Sequence, residues 1–325
     1  MRLLRRLSVA LLSGLLAMGA TGVSAQAEIR VALPPDPNAL PLFVLEEHQD
    51  RFLPETELSL VPNPGGDPSA MRAMIKDGRM DFAFFNLVGG VRFLEGGLEE
   101  LELVAPWVWS GIYLLSPEQR SGLSGVDDEQ VLVAPGLSTP PHVVTEQALA
   151  EAGIEPRFAA SGAGMALLGQ ARSPQRAPAG IAAPEPLISL ILHRQEAEGW
   201  EQRWQIALDP AETLQDRLEG PVPLGAVWSV QGQADAGQRQ ALMQALEEVV
   251  AWLEETRHHE EAAQIAADGF EEFFGMPVPE RALLKMLEEE RVVWDPATDK
   301  QSWQAVDTYL REVFAIEPPE GVPEP

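Results

Sequence analysis

The sequence predicts an α/β protein of two units, and three observations carry this prediction. Strand-like and helix-like segments alternate from Glu28 to Asn86, as in a sheet whose parallel strands are joined by right-handed crossovers. The alternation returns between Leu115 and Pro221, which indicates a second α/β unit inserted between parts of the first. The chain has 325 residues, which suits two domains of ordinary size better than one simple core.

The N-terminal 27 residues predict a secretion signal outside the fold. Arg5 and Arg6 belong to a basic start, residues 7–20 are apolar but too short to span a bilayer, and Ala25-Gln26-Ala27 fits a small-x-small cleavage site. No Cys follows the apolar run, so we expect no lipid anchor. The mature chain is therefore expected to be a freely soluble periplasmic protein.

Each element at the start of the first unit follows from a local pattern. Ile29, Val31 and Leu33 alternate along a first strand, and residues 42–53 are typical of a helix. A second strand begins at Thr56 and ends in a loop rich in Pro and Gly.

Residues 71–86, MRAMIKDGRMDFAFFN, change from a helical period to a buried strand, with Gly78 suited to the helix C-terminus. The strand ends on Asn86, and ligands in such sheets lie outside the carboxyl ends of the strands. Asn86 is therefore a candidate ligand residue, with a turn-forming Asn as the alternative. Asn38, in the loop after the first strand, is a candidate of the same kind.

The second unit and the end of the chain show the same kinds of pattern. Residues 131–154 read as strand, loop and helix, and residues 177–192 read as a strand followed by a helix bounded by prolines. Beyond residue 231 the chain is mostly helical, because its leucines and valines keep a helical spacing.

Two extended runs, residues 107–113 and 224–230, are predicted to connect the two units. Trp107, Trp109 and Trp228 lie in these runs. Aromatic side chains at such a junction could stack on a ring or surround a quaternary ammonium group. Packing in the core or at a hinge is the alternative interpretation.

Two more candidate sites precede predicted helices of the second unit. Ser138 and Thr139 offer hydroxyls and backbone amides, which suit an anionic group, and simple N-capping is the alternative. Glu185 stands between two prolines, where it could accept from an amine or a hydroxyl of a ligand. Otherwise its carboxylate interacts with the dipole of the following helix.

The composition argues against several functions. The chain has 50 Asp and Glu against 23 Lys and Arg, a balance that repels nucleic acid and anionic surfaces. Cys is absent, which excludes thiolate metal sites, Cys nucleophiles and disulfides. The five His lack the spacing of metal ligands, and no phosphate loop or hydrolase motif occurs. We therefore expect no metal and no cofactor.

Five segments, taken in order, resemble type 2 periplasmic substrate-binding proteins of ABC importers. They are the secretion signal running into EIRVALPP, then MIKDGRMDFAFFN, VLVAPGLSTPPHVVTEQALAEAGIEP, GIAAPEPLISLIL and the helical C-terminal third. The resemblance is nearest to the group that binds sulfonates, taurine, nitrate and thiamine precursors, and it covers nearly the whole mature chain.

The resemblance implies a two-lobed type 2 periplasmic-binding-protein fold of the α/β class, in which each lobe is a mixed sheet flanked by helices. The expected lobes are residues 28–108 with 225–316, and residues 109–224, with residues 317–325 as a loose tail. A cleft between the lobes would close on a solute by hinge motion.

The function implied by the resemblance is solute capture for import. The expected partners are a small, anionic or heteroaromatic organic solute and an ABC permease in the inner membrane, and the protein is expected to be a monomer and not an enzyme. A betaine-like cation is a further candidate solute. A periplasmic sensor or accessory protein is the alternative function, and an enzyme on the same fold is less expected.

Overall fold

The structure is a computed structural model, and it describes residues 27–63, 68–119, 122–162, 164–175, 177–319 and 322–323. Of the expected signal peptide only Ala27 falls within these ranges, so that prediction lies outside the described residues.

The described residues form ten strands, which fall into two five-stranded sheets. In chain order the strands are β1 Ala27–Leu33, β2 Thr56–Pro62, β3 Phe82–Asn86, β4 Leu101–Val108, β5 Ile112–Pro117, β6 Gln130–Val133, β7 Arg157–Ala160, β8 Gly180–Pro184, β9 Trp204–Leu208 and β10 Gly225–Val230. The first sheet has the order β2-β1-β3-β10-β4, and the second has the order β7-β6-β8-β5-β9.

Twelve α-helices lie between and after these strands in the described residues. They are α1 Ala39–Glu47, α2 Gln49–Phe52, α3 Pro68–Lys76, α4 Leu87–Glu95, α5 Pro140–Glu151, α6 Gly164–Arg172, α7 Leu187–Ala197, α8 Pro210–Leu218, α9 Ala236–Leu253, α10 His259–Phe274, α11 Glu280–Glu288 and α12 Lys300–Thr308. A π-helical turn, Tyr309–Val313, continues α12.

Each sheet is mixed in the same way. In the first sheet β1 pairs parallel with β2 and β3, whereas β10 runs antiparallel to both of its neighbours, β3 and β4. In the second sheet β6 pairs parallel with β7 and β8, whereas β5 runs antiparallel to β8 and β9. The antiparallel strand is thus the first strand that the chain enters after it crosses from one sheet to the other.

Burial explains why these segments form strands. Ile29, Val31 and Leu33 on β1 are fully buried, and Ile29 and Val31 stand opposite Leu58 and Leu60 of the parallel neighbour β2. The apolar run Phe82–Phe85 of β3 is buried on both faces, as expected for a central strand covered by helices on each side. The predicted α/β fold of two mixed sheets flanked by helices is confirmed.

The first predicted connection, residues 107–113, is shorter in the structure than expected. Only Trp109–Gly111 lie between β4 and β5, which belong to different sheets. Gly111 has a φ of +117°, a conformation that side-chain-bearing residues rarely adopt. The crossing itself therefore occupies these three residues.

The second crossing also differs from the prediction. Residues 224–230 do not connect the sheets, since β10 pairs along its length with β3 and β4 inside the first sheet. The chain instead returns from β9 through α8, and α8 packs against α5. A further difference lies after β3, where the Gly-rich segment at residues 86–90 favours a loop, whereas residues 87–95 form α4.

The C-terminal helices cover the first sheet. Leu242, Leu246 and Val249 of α9 are fully buried, as their helical spacing predicted. Within the expected loose tail, Val322 packs against the main hydrophobic core. Among the described residues, none of the helices combines the length and the apolar character needed to cross a membrane.

Candidate functional site

The candidate site lies where the carboxyl-end edges of the two sheets meet. The antiparallel strands start at these edges, because Gly225 of β10 stands opposite Asn86, the end of β3, and Ile112 of β5 stands opposite Pro184, the end of β8. The loops after the parallel strands therefore gather around the two crossings. This is the position that ligands take in open α/β sheets.

Residues 291–295 and the loop after β1 hold the first crossing in place. The backbone N–H of Trp109 donates to the carbonyl of Val293 at 2.9 Å. The indole N–H of Trp294 donates to the carbonyl of Pro37, also at 2.9 Å. A Cβ added to Gly111 would lie 3.3 Å from Val292 and 3.5 Å from Pro37, so three chain segments meet closely at this point.

The loop after β1 carries a carboxylate and an amide that contact each other. Asp36 Oδ1 accepts from the Asn38 backbone N–H at 2.9 Å and from its side-chain Nδ2 at 2.7 Å. Asn38 is only 3% exposed, and its Oδ1 is buried without a hydrogen-bond partner. A Cβ on Gly225 would lie 2.9 Å from this oxygen, so the oxygen sits directly over the strand-end edge.

Burial changes the acidity of the Asp36 carboxyl group in this loop. Burial raises the pKa of Asp36 to about 7, and the two hydrogen bonds from Asn38 oppose the rise. Sequence reasoning missed Asp36, although its place two residues before Asn38 in a strand-end loop was a usable signal.

Asn86 has the capping role that the alternative interpretation described. Its Oδ1 accepts from the backbone N–H of Gly89 at 2.6 Å and caps α4. The residue remains half-buried at the edge of the sheet. Its role as a ligand contact therefore stays a prediction. Since Oδ1 is used by the cap, the side-chain Nδ2 is the polar atom left to contact a ligand.

The loop after β6 offers fewer donors than expected. The Thr139 hydroxyl donates to the Gly136 carbonyl at 2.5 Å, and Thr139 makes no side-chain cap to the helix. Ser138 has a φ of +62°, and its backbone N–H donates to His142 Nδ1 at 3.3 Å. The helix then begins with Pro140-Pro141, which have no N–H groups to offer an anion.

Glu185 caps a helix and pairs with a buried cation. It has no exposed surface, its Oε2 accepts from the Ser189 backbone N–H at 2.9 Å, and its Oε1 lies 3.6 Å from Arg291 Nη1. Burial raises the pKa of Glu185, whereas Arg291 and Ser189 lower it. The carboxylate thus accepts from a backbone N–H in the first turn of α7 and neutralises the charge of Arg291.

Arg291 is the residue at this junction that sequence reasoning missed entirely. Its side chain is 5% exposed and its Nη1 donates to Ser189 Oγ at 2.9 Å. Its guanidinium also pairs with Glu289, and its carbonyl accepts from the Tyr113 hydroxyl at 2.7 Å. The only local signal was an arginine between an acidic run and two valines.

The three candidate tryptophans do not occupy one place. Trp107 and Trp228 are fully buried in the first sheet, where Trp107 meets Phe84 edge-on at 6.0 Å and Trp228 stacks on Phe85 at 5.6 Å. Neither has surface to offer a solute in this conformation. Trp109 is 6% exposed and donates through its indole N–H to the Asp295 carbonyl at 2.8 Å, at the crossing itself.

Two large apolar side chains near the strand ends are exposed. Leu137, in the loop after β6, and Val293, beside the crossing, are each 47% exposed. A groove of about 620 Å³ also runs between α7 and α11 and includes Ser189 and Arg291 in its lining. Within the part of the chain that the structure describes, His, Asp and Glu form no cluster able to hold a metal ion.

The fold recurs in proteins of known structure. A ligand-binding component of an ABC-type import system from Staphylococcus aureus, with zinc bound in its structure, matches at 15% identity and a TM-score of 0.69, over 92% of this chain and 97% of that one. The alkanesulfonate-binding protein SsuA from Xanthomonas axonopodis pv. citri matches at 16% identity and a TM-score of 0.62, over 91% and 96%.

A nitrate-binding protein also has this fold. The periplasmic protein NrtA from Synechocystis matches at 16% identity and a TM-score of 0.61, over 89% of this chain and 81% of that one. No family model matches the sequence, and no curated protein sequence matches it. The chain therefore has the two-lobed fold of the type 2 periplasmic substrate-binding proteins that its sequence resembles.

Proposed function

We propose that this chain is the solute-binding component of an ABC importer. The observation that carries the proposal is the meeting of two strand-end edges around narrow crossings, with polar groups of both edges turned toward the junction. The fold shared with import components over about nine-tenths of the chain supports it. Such a protein works by binding a solute more tightly in one domain arrangement than in another, and no bond needs to be made or broken.

In this proposal two lobes move relative to each other. One comprises residues 28–108 and 225–316, and the other comprises residues 109–224. Trp109–Gly111 and the connection through α8 would serve as the hinge. Few ion pairs join the lobes elsewhere: Arg291 meets Glu185 at 3.6 Å and Lys285 meets Glu196 at 3.7 Å. The main hydrophobic core also joins the lobes, because Val144 of α5 and Leu214 of α8 belong to the same buried cluster as the first sheet, so hinge motion has to preserve or shift this packing.

The predicted site residues take different parts in this proposal. Asn38, Asn86 and Ser138 place polar atoms at the two edges and are proposed ligand contacts, together with Thr139 and Trp109. Glu185 positions the start of α7 through Ser189. Trp107 and Trp228 support the sheet beneath the site.

Native mass spectrometry of the purified protein tests solute capture. We expect a small molecule that remains bound under native conditions and is lost on denaturation. Asn38→Ala should reduce its retention at least about tenfold, the effect of losing a buried contact worth about 1.4 kcal/mol. Gln240→Ala, an exposed amide on α9, should leave retention unchanged.

A negative result would also be informative. If the protein is free of solute and no amine, sulfonate or heteroaromatic compound raises its melting temperature, the import proposal fails. The proposed cellular setting is checked separately, since fractionation should place a mature monomer in the periplasm, and cross-linking should join it to an inner-membrane permease.

A further inference from the structure

An anion is usually held by free N–H groups at a helix N-terminus. At three of the helices that follow strand ends, one such N–H is already bound: that of Asn38 by Asp36 at α1, that of Gly89 by Asn86 at α4, and that of Ser189 by Glu185 at α7. Another of these helices, α5, begins with two prolines and has no N–H at those positions.

The positively charged side chain at the site, Arg291, likewise already has partners. Arg291 is the only Lys or Arg in the strand-end loops, the crossing at Trp109–Gly111 and residues 291–295. Its guanidinium donates to Ser189 and pairs with Glu185 and Glu289. A sulfonate or nitrate would therefore have to compete with two carboxylates for it.

Acceptors, in contrast, are in excess. Asn38 Oδ1 is buried and unpartnered, and it lies against Gly225 at the strand-end edge. Asp36 is half-buried beside it, and Oδ1 is the oxygen that both hydrogen bonds from Asn38 use. A buried acceptor without a donor is costly, so a ligand that donates here gains the free energy of satisfying it.

The same region offers apolar contact. Leu137 and Val293 expose nearly half of their surface at the two edges, although large apolar side chains are mostly buried elsewhere in the described residues. They suit the hydrocarbon or ring portion of a solute. The whole chain, with a net charge of −27, also concentrates cations near its surface.

We propose that the solute of this site presents a positively charged nitrogen group that bears N–H donors, such as a protonated amine or an amidinium, to Asp36 and Asn38. The proposal rests on the proposed function and names its solute class. The rest of the solute is a small apolar body that contacts Val293, the exposed apolar side chain next to Val292 and Trp294, which lie beside Pro37. By the same balance of donors and acceptors, sulfonates, carboxylates and nitrate are expected to bind this site less well than such a cation.

Matched probes of opposite charge test this class. Benzamidine and benzylamine are compared with benzoate and phenylmethanesulfonate by calorimetry and by thermal shift on the purified protein. We expect the two cations to bind and to raise the melting temperature, and the two anions to do neither. Asp36→Asn should weaken cation binding at least about tenfold, whereas Asp50→Asn, an exposed carboxylate on α2, should not change it.

A second variant tests the site without altering Asp36. Gly225→Ala places a methyl group 2.9 Å from both Asn38 Oδ1 and Val108 Cγ2, and it should weaken cation binding by displacing the amide. Circular dichroism and the melting temperature of each variant show whether it is folded.

The outcomes separate the two proposals. Binding of the anions alone overturns the cation class and leaves the import proposal intact. Cation binding that survives both variants overturns the assignment to Asp36 and Asn38. No response to any probe, together with a solute-free native mass spectrum, overturns the class and the proposed function together.

Discussion

Burial raises the pKa of the Asp36 carboxyl group to about 7, so the pH dependence of stability tests whether this group is buried. Its pKa rises from 3.8 to about 7 through burial, so between these two values the folded protein holds a proton that the unfolded chain has released. The contribution of Asp36 to stability is therefore most favourable below pH 4 and falls as the pH rises to about 7.

Asp36→Asn should remove this dependence while keeping an acceptor for Asn38. We expect the variant to melt a few degrees higher than the wild type at pH 8, with the difference shrinking toward pH 4, because a neutral amide carries no cost of buried charge. Melting curves across pH 4–8 measure it. Glu46, whose pKa is also raised to about 7, is present in both proteins and cancels in the difference. A difference independent of pH would contradict the burial of Asp36.

At the residue scale, the sequence identified those site residues that lie in a recognisable local pattern. Asn38, Asn86 and Glu185 were recognisable because each lies at the end of a strand or at most five residues after it, and strand ends face ligands. Arg291 was not recognisable, since its contacts with the site span long sequence separations. The sequence left open whether Trp107 and Trp228 pack in the core or face a solute, because their burial depends on β10 entering the sheet between β3 and β4.

At the scale of elements, α4 shows why a helix can be missed. Its Gly89-Gly90 pair is typical of a loop, because glycine weakens a helix by about 1 kcal/mol relative to alanine. Yet Gly90 is needed, since a Cβ there would lie 2.0 Å from the ring of Trp228. The glycine allows α4 to lie directly on the stacked Trp228 and Phe85.

Two glycine substitutions in helices should therefore have opposite effects. Gly90→Ala should destabilise the protein by about 1–3 kcal/mol or more through overpacking against Trp228. Gly169→Ala in α6, where a Cβ meets nothing within 4 Å, should stabilise it by up to about 1 kcal/mol. Denaturant unfolding measures both. Equal effects of the two changes would mean that helix propensity alone decides, and that α4 does not rest on Trp228.

At the scale of the whole molecule, the alternation of strands and helices predicted both sheets, and the predicted division into residues 28–108 with 225–316 and residues 109–224 assigns each strand to the sheet in which it lies. The sequence predicted a connection at residues 107–113 but not that Trp109–Gly111 alone form it, because the residues on both sides are equally suited to burial. Membership of one sheet or the other is a property of pairing between distant strands. For this reason residues 224–230 also resembled a connection, although they are central in the first sheet.

The proposed hinge predicts a measurable motion of one sheet relative to the other. The chain has no Cys, so spin labels can be attached to cysteines introduced at exposed Glu57 on β2 and exposed Glu155 beside β7. Arg291→Met removes an ion pair that joins the lobes, and a state held partly by that contact should lose population. We expect the inter-label distances measured by pulsed electron paramagnetic resonance to broaden toward longer values in this variant.

A label pair within one lobe serves as the control for this measurement. Glu57 and Glu99 are both exposed and both belong to the first lobe, so their distance should not change in Arg291→Met. A change in both pairs would indicate partial unfolding rather than hinge motion. An unchanged distribution in both pairs would contradict this prediction and would mean that the packing around Trp109–Gly111 fixes the lobes without help from Arg291.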